Sequence, residues 1–136
     1  MAIELPHGQT LGMKFMFTKL PVNDLERSAT FYTSVFGLVE MQRIDAQIIG
    51  RPATEVVYMP THANGPLLIL LKYHDLPKRP NEAVILGFST DDLTAFVDRL
   101  EKAGGRVVDR MEVPGMQIVF GEDIEGNRLQ VTQPTN

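Results

Sequence analysis

The sequence predicts an α+β fold built from two βαβββ modules, and three observations predict it. A strand, a cap, an amphipathic helix and a glycine stop follow one another over residues 17–37 (FTKLPVNDLERSATFYTSVFG). The same order restarts after the proline-rich, charged stretch 74–82 (HDLPKRPNE). Three strand candidates follow the helix in each half, and neither half is large enough to bury a sheet by itself. In both halves an Asp-Leu pair, Asp24-Leu25 or Asp92-Leu93, stands at the same distance before a glycine, Gly37 or Gly105. Capped helices share that spacing, but with the order of elements and the central linker it favours duplication of one module.

Residues 1–13 lack a sustained period and contain Pro6, Gly8 and Gly12, which marks an arm. The first module spans 14–73. Its opening strand, 14–22, alternates, with Phe15, Phe17 and Lys19 on one face and Met16, Thr18, Leu20 and Val22 on the other. In the helix, 25–36, Leu25, Ala29, Tyr32, Val35 and Phe36 recur at three- and four-residue steps and make one apolar face. Asn23 with Glu26 has the spacing of a capping box, and Gly37 suits a left-handed stop. Strands follow at 38–44, 55–59 and 67–73, with 45–54 read as a loop on Gly50 and Pro52 and 60–66 as a turn.

Residues 74–82 are the linker and 83–136 the second module. Its strand is 83–90 and its helix 91–103, with Leu93, Phe96, Val97 and Leu100 on one face, stopped by Gly104 and Gly105. Strands at 106–113, 117–121 and 127–133 complete it.

Composition narrows the function classes. The chain has 136 residues, 43% of them hydrophobic, no cysteine and a net charge of −4. Without cysteine there is no disulfide framework, and the longest apolar run, 66–71, is far short of a membrane span. A cytoplasmic protein with no membrane partner is expected. Its cationic residues are scattered, which argues against a nucleic-acid partner, because phosphate neutralisation needs clustered Lys and Arg.

The stretch LPVNDLERSATFYTSVFGL resembles the opening of the vicinal oxygen chelate superfamily, the glyoxalase, bleomycin-resistance and extradiol dioxygenase group, and GEDIEGNRLQVTQ resembles its closing hairpin. The resemblance covers about residues 14–133. It implies that the two modules form an eight-stranded, cup-shaped incomplete barrel that holds a small-molecule ligand, and that the protein is a homodimer. It also implies a divalent metal, held by ligands on the first and last strands of each module. Matched on Asp24-Leu25, those positions fall at Phe17, Leu70, Ile85 and Gln130. Phe, Leu and Ile donate no lone pair, and one glutamine cannot hold an ion. His7, His62 and His74 are spread over the arm, a turn and the linker, where exposure or capping is the expected role. No metal and no other cofactor is therefore expected.

Alternation suggests what lines the cup instead. Phe17 and Lys19 share a face on the first strand, Leu68, Leu70 and Lys72 on the fourth, Ile85, Gly87 and Ser89 on the fifth, and Arg128, Gln130 and Thr132 on the eighth. The expected ligand-binding residues are Phe17, Lys19, Leu70, Lys72, Ile85, Gly87 and Gln130, a mostly apolar set with a few polar groups. The alternative is that Phe17, Leu70 and Ile85 fill the barrel as a second core. Met41, Met59, Met111 and Met116 lie in or beside long strands, where thioethers adapt to varied apolar ligands or fill a core.

Two classes of function remain. One is a binding protein that sequesters or carries an apolar or aromatic compound, as the resistance members of the superfamily do. The other is an enzyme of lyase, isomerase or dioxygenase type acting on a small carbonyl or aromatic substrate. For the second, the catalytic candidates are Glu55, Lys72 and Tyr58, since a carboxylate enclosed by apolar side chains suits a general base. The competing reading of Glu55 is a solvent-facing strand residue. An apolar cup with polar groups only at its rim favours the binder, and a carboxylate on its floor favours the enzyme.

Overall fold

The computed structural model describes residues 6–9, 16–48, 51–75 and 84–135. Among them the elements run β1 (Phe17–Pro21), α1 (Leu25–Phe36), β2 (Glu40–Ile48), β3 (Arg51–Tyr58), β4 (Leu67–Tyr73), β5 (Ile85–Ser89), α2 (Leu93–Lys102), β6 (Arg106–Val113), β7 (Met116–Glu122) and β8 (Arg128–Pro134). This is βαβββ twice. The strands form two sheets with one order repeated, β1-β4-β3-β2 and β5-β8-β7-β6. In each sheet the first strand pairs parallel with the last, and the other pairs are antiparallel. The sheets do not close, which gives the open, cup-shaped incomplete barrel.

Duplication reaches down to the register. A one-residue bulge lies between Glu40 and Gln42 opposite Tyr58 and Val57, and its counterpart lies between Val107 and Asp109 opposite Gly121 and Phe120. The same irregularity at the same rung of both ladders re-aims the outer strand in the same way.

Both helices begin at an aspartate. Asp24 Oδ1 accepts from Arg27 N at 3.0 Å, and Asp92 Oδ1 accepts from Ala95 N at 3.0 Å. The cap is thus Asp24 rather than the expected Asn23, and Glu26 reaches out to Arg43 on β2 instead of back to the cap. Gly37, at φ 70°, donates to Thr33 O and ends α1 in the left-handed conformation. In α2 the cap is Ala103 and the positive φ falls on Gly104. Gly105 serves packing, because a Cβ there would lie 2.4 Å from Leu100 Cδ1.

One core joins the modules. Leu20, Val56, Tyr58 and Leu70 from the first sheet, Leu86, Val119, Leu129 and Val131 from the second, and the apolar faces of both helices belong to a single buried cluster. Phe36 of α1 stacks on Phe88 of β5 with ring centroids 4.1 Å apart. The second module also holds both ends of α1. The Glu125 carboxylate accepts from Asn23 N and Asp24 N at 2.8 Å, and Arg99 Nε donates to Val35 O at 2.8 Å. An anion at the N-terminus and a cation at the C-terminus both oppose the helix dipole. Between them, Tyr32 donates to buried Asp123 at 2.9 Å.

The largest departure from expectation is the stretch 45–54. Its described residues are strand rather than loop, since β2 runs to Ile48 and β3 starts at Arg51, and Asp45, Ala46 and Gln47 pair with Thr54, Ala53 and Pro52, while residues 49 and 50 lie outside the described residues. Pro52 is tolerated there beside the hairpin end. The remaining strands differ from the expected bounds at their ends. Lys14, Phe15, Ala83 and most of the linker lie outside the described residues. Among the described residues, no helix is long and apolar enough to cross a membrane.

Candidate ligand-binding site

Pairing partners share a face, so the register divides each sheet into a helix-packed face and a helix-free face. In the first sheet Leu20, Leu70 and Val56 form one rung and all belong to the helix core. The adjacent rungs, Lys19–Ile69–Val57 and Pro21–Leu71–Glu55, therefore face away from the helices. Ile69, Leu71, Val57 and Ala53 make this face apolar, and each is buried.

Glu55 lies among them at 4% exposure, which rules out the solvent-facing alternative. Its partner is Lys19, which reaches across β4 to bring Nζ to 2.5 Å from Glu55 Oε2. The two touch as charges without the alignment of a hydrogen bond, so Oε2 has no hydrogen-bond partner. Lys19 Nζ is also 5.5 Å from the centre of the Phe17 ring, a cation–π contact on the same strand. Phe17 itself is 47% exposed.

Three expected site residues are elsewhere. Leu70 has 0% exposure and belongs to the helix core. Lys72 pairs with Thr54, one rung further along the same helix-packed face. Tyr58 is also there, donating to Ala29 O at 2.9 Å and contacting Thr33 Oγ1 at 3.3 Å, and its burial raises its pKa. The true helix-free residues of β4 are Leu67, Ile69 and Leu71. LLILLKY is apolar on both faces, so alternation alone could not set its phase.

In the second sheet Leu86 and Leu129 pair in the core, and Ile85, Gly87 and Ser89 pair with Arg128, Gln130 and Thr132 on the helix-free face. Ile85 is 52% exposed, and a Cβ added at Gly87 would meet nothing within 4 Å. Next to them runs a charged rung, Arg128–Glu122–Arg106. Arg106 Nε donates to Glu122 Oε2 at 3.0 Å, whereas Arg128 Nη2 stays 3.8 Å from Glu122 Oε1. Arg128 Nε is buried without a hydrogen-bond partner. Among the described residues only Glu55 Oε2 and Arg128 Nε are buried side-chain polar atoms without a hydrogen bond, and both belong to helix-free faces, although Oε2 keeps its ion pair with Lys19. Of the four methionines, Met111 and Met116 share that face, and Met41 and Met59 are exposed elsewhere.

The residues at the places of a divalent ion do not fit one. Phe17, Ile85 and Gln130 are on the helix-free faces, and in place of Leu70 that side of β4 offers Leu67 or Ile69, so a single amide oxygen is the whole donor set. Among the described residues no group of three or more His, Asp or Glu could hold a metal. His7 and His62 are exposed, and His74 Nε2 contacts Thr54 Oγ1 at 2.7 Å. A recess of about 460 Å³ does exist on the helix side, lined by Arg27, Phe31, Ala103 and Ile124, but it holds none of these groups.

Comparison with solved structures agrees with the fold. A glyoxalase family protein from Bacillus cereus matches with a TM-score of 0.77 at 14% identity, over 98% of this chain and 100% of that one. TnmS3, an antibiotic binding protein from a Streptomyces species, matches with a TM-score of 0.69 at 23% identity, over 93% and 100%. Glyoxalase I from Zea mays matches at 0.68 and 20% identity over 86% of this chain, which spans 44% of the maize protein's length. Comparison with curated proteins finds no match. Residues 14–131 match the model of the Glyoxalase/Bleomycin resistance protein/Dioxygenase superfamily, and the chain belongs to that family.

Proposed function

We propose that this protein binds a small, mainly apolar or aromatic compound in its cup, with the Lys19–Glu55 pair holding the ligand's polar end and no divalent metal taking part. The observation that carries this reading is the apolar helix-free face of the first sheet, where Phe17, Ile69, Leu71 and Val57 surround a Glu55 whose charge is already paired with Lys19. A ligand N–H or O–H that enters alongside the partly exposed Lys19 would add the hydrogen bond the carboxylate lacks, while its apolar body covers the exposed Phe17 ring. That the Streptomyces relative is an antibiotic binding protein supports a binding role. We further propose a cytoplasmic homodimer whose interface covers part of the exposed apolar surface of β6 at Met111 and Val113.

The test uses N-phenyl-1-naphthylamine, a neutral probe with one N–H that fluoresces when removed from water. Saturable binding is expected, unchanged by EDTA, in a protein with no stoichiometric metal by elemental analysis. A full equivalent of a divalent metal whose removal abolishes binding overturns the reading. Light scattering should give twice the monomer mass.

The second reading is an enzyme in which Glu55 takes a proton from a bound substrate while Lys19 steadies the negative charge that develops. The buried carboxylate beside a cation favours it. A Glu55→Gln variant separates the two readings: the binder loses affinity in proportion to one hydrogen bond, whereas the enzyme keeps binding and loses turnover.

A further inference from the structure

The two helix-free faces are related by duplication, yet their charges are arranged differently. At the rungs where the first module has Lys19, Glu55 and Leu67, the second has Gly87, Ile118 and Arg128. The first module's cation therefore has a carboxylate of its own, and the second module's does not. Arg128 shares Glu122 with Arg106, and Arg106 has the closer hold, at 3.0 and 3.4 Å against 3.8 Å. Two guanidinium groups against one carboxylate leave one positive charge uncompensated on that rung.

We propose that Arg128 anchors an oxyanion subsite that receives the carboxylate of an apolar organic anion, an inference that rests on the apolar cup proposed above. A guanidinium offers Nε and Nη donors as a planar fork that matches a carboxylate. Here Nε is buried and unpartnered, and Nη2 is beyond hydrogen-bond distance of Glu122. A buried charged donor without a partner is unfavourable, and an incoming carboxylate corrects it. Room exists beside it, since Gly87 carries no side chain on the adjacent rung and nothing lies within 4 Å of where one would be. On this face Ile85 pairs with Arg128 and Phe120 with Gln130, which supplies apolar neighbours, and Gln130, Ser89 and Thr132 are polar and neutral. The acidic groups are Glu122, already held by Arg106, and Asp109 on β6, with β7 between it and β8.

The experiment compares 1-naphthoate with 1-naphthamide, which share one apolar body and differ in charge. Both are titrated calorimetrically against the wild-type protein, Arg128→Gln and Arg128→Lys, with thermal unfolding of each variant as the check on folding. The expected result is that wild type prefers naphthoate by about tenfold, the range of one charge-assisted hydrogen bond. Arg128→Gln should remove most of the preference, weakening naphthoate about tenfold and naphthamide, whose neutral carbonyl is the poorer acceptor, much less, and Arg128→Lys should retain part of the preference. Equal affinity of wild type for both probes overturns the subsite and leaves the apolar cup standing. Parallel loss of both probes in a folded Arg128→Gln variant also overturns it, because the arginine would then only shape the wall. If neither probe binds wild type at millimolar concentration, the cup reading fails together with the subsite.

Discussion

Lys19 Nζ lies 2.5 Å from Glu55 Oε2 after crossing the width of β4, so a charge pair spans three strands of the first sheet on its helix-free face. The two partners are unequal, with the Glu55 side chain 5% exposed and that of Lys19 32% exposed. Removing the lysine leaves a buried carboxylate alone, whereas removing the carboxylate leaves an ammonium that can turn to water. Lys19→Met should therefore destabilise by about 2 kcal/mol, below the usual range for a buried pair because Lys19 is partly solvated. Glu55→Leu with Lys19→Met should recover most of that loss. Urea unfolding of the single and double variants measures both, and equal effects of the two single substitutions would contradict the asymmetry.

Leu70 and Ile85 are both expected cup residues by sequence, and the fold separates them. Leu70→Glu puts a charge into the shared core and should prevent folding. Ile85→Glu changes a residue on an edge strand with 52% exposure, so the protein should fold and lose affinity for N-phenyl-1-naphthylamine. Leu70→Ala should cost about 2–5 kcal/mol and Ile85→Ala less than about 1 kcal/mol. Circular dichroism and probe titration of the four variants decide the matter. A folded Leu70→Glu protein would reverse the face assignment of β4.

The contrast shows what the sequence could carry. Strands β1, β5 and β8 mix polar and apolar residues, so Lys19, Gly87 and Gln130 reveal which residues share a face. Both helices were legible from the spacing of Leu25, Ala29 and Tyr32 and of Leu93, Phe96 and Leu100. In LLILLKY every early position is apolar, and its phase is set only by Leu20 pairing with Leu70 across a parallel ladder. The burial of Glu55 had no local signal, since it depends on Lys19 thirty-six residues earlier and on the aliphatic rungs beside it. The charged rung of Arg106, Glu122 and Arg128 joins three strands and exists only in the register.

Tyr32 makes stability sensitive to alkali. Burial first, and then the Asp123 carboxylate that its hydroxyl bonds, push its pKa well above the ordinary 10.0. The folded state therefore keeps the phenol proton at a pH where the unfolded chain has released it, and stability falls as pH rises above 10. Below that value the contribution is fully present. Tyr32→Phe should lose about 2 kcal/mol at neutral pH, the worth of a hydrogen bond to a charged acceptor, and its stability should fall less steeply above pH 10. Tyr58, raised in the same direction by burial, leaves a residual slope. Urea midpoints for both proteins at neutral and alkaline pH test this, and parallel curves would count against it.

Glu125 and Arg99 act on opposite ends of one helix from the other module, so their loss should be felt by both modules at once. Glu125 covers the Asn23 and Asp24 N–H groups, and Arg99 covers the Val35 carbonyl. Glu125→Ala should cost about 1–2 kcal/mol, because two donors at the helix start lose a charged acceptor. Glu125→Gln keeps an oxygen and loses the charge, so it should cost about half as much. Rising salt should narrow the gap between wild type and Glu125→Gln, since this end of the helix is exposed to ions. The helix belongs to the core of both sheets, so the unfolding transition should move as one unit in each variant. Two separate calorimetric transitions, one for each module, would mean that the caps stabilise α1 alone and do not couple the halves.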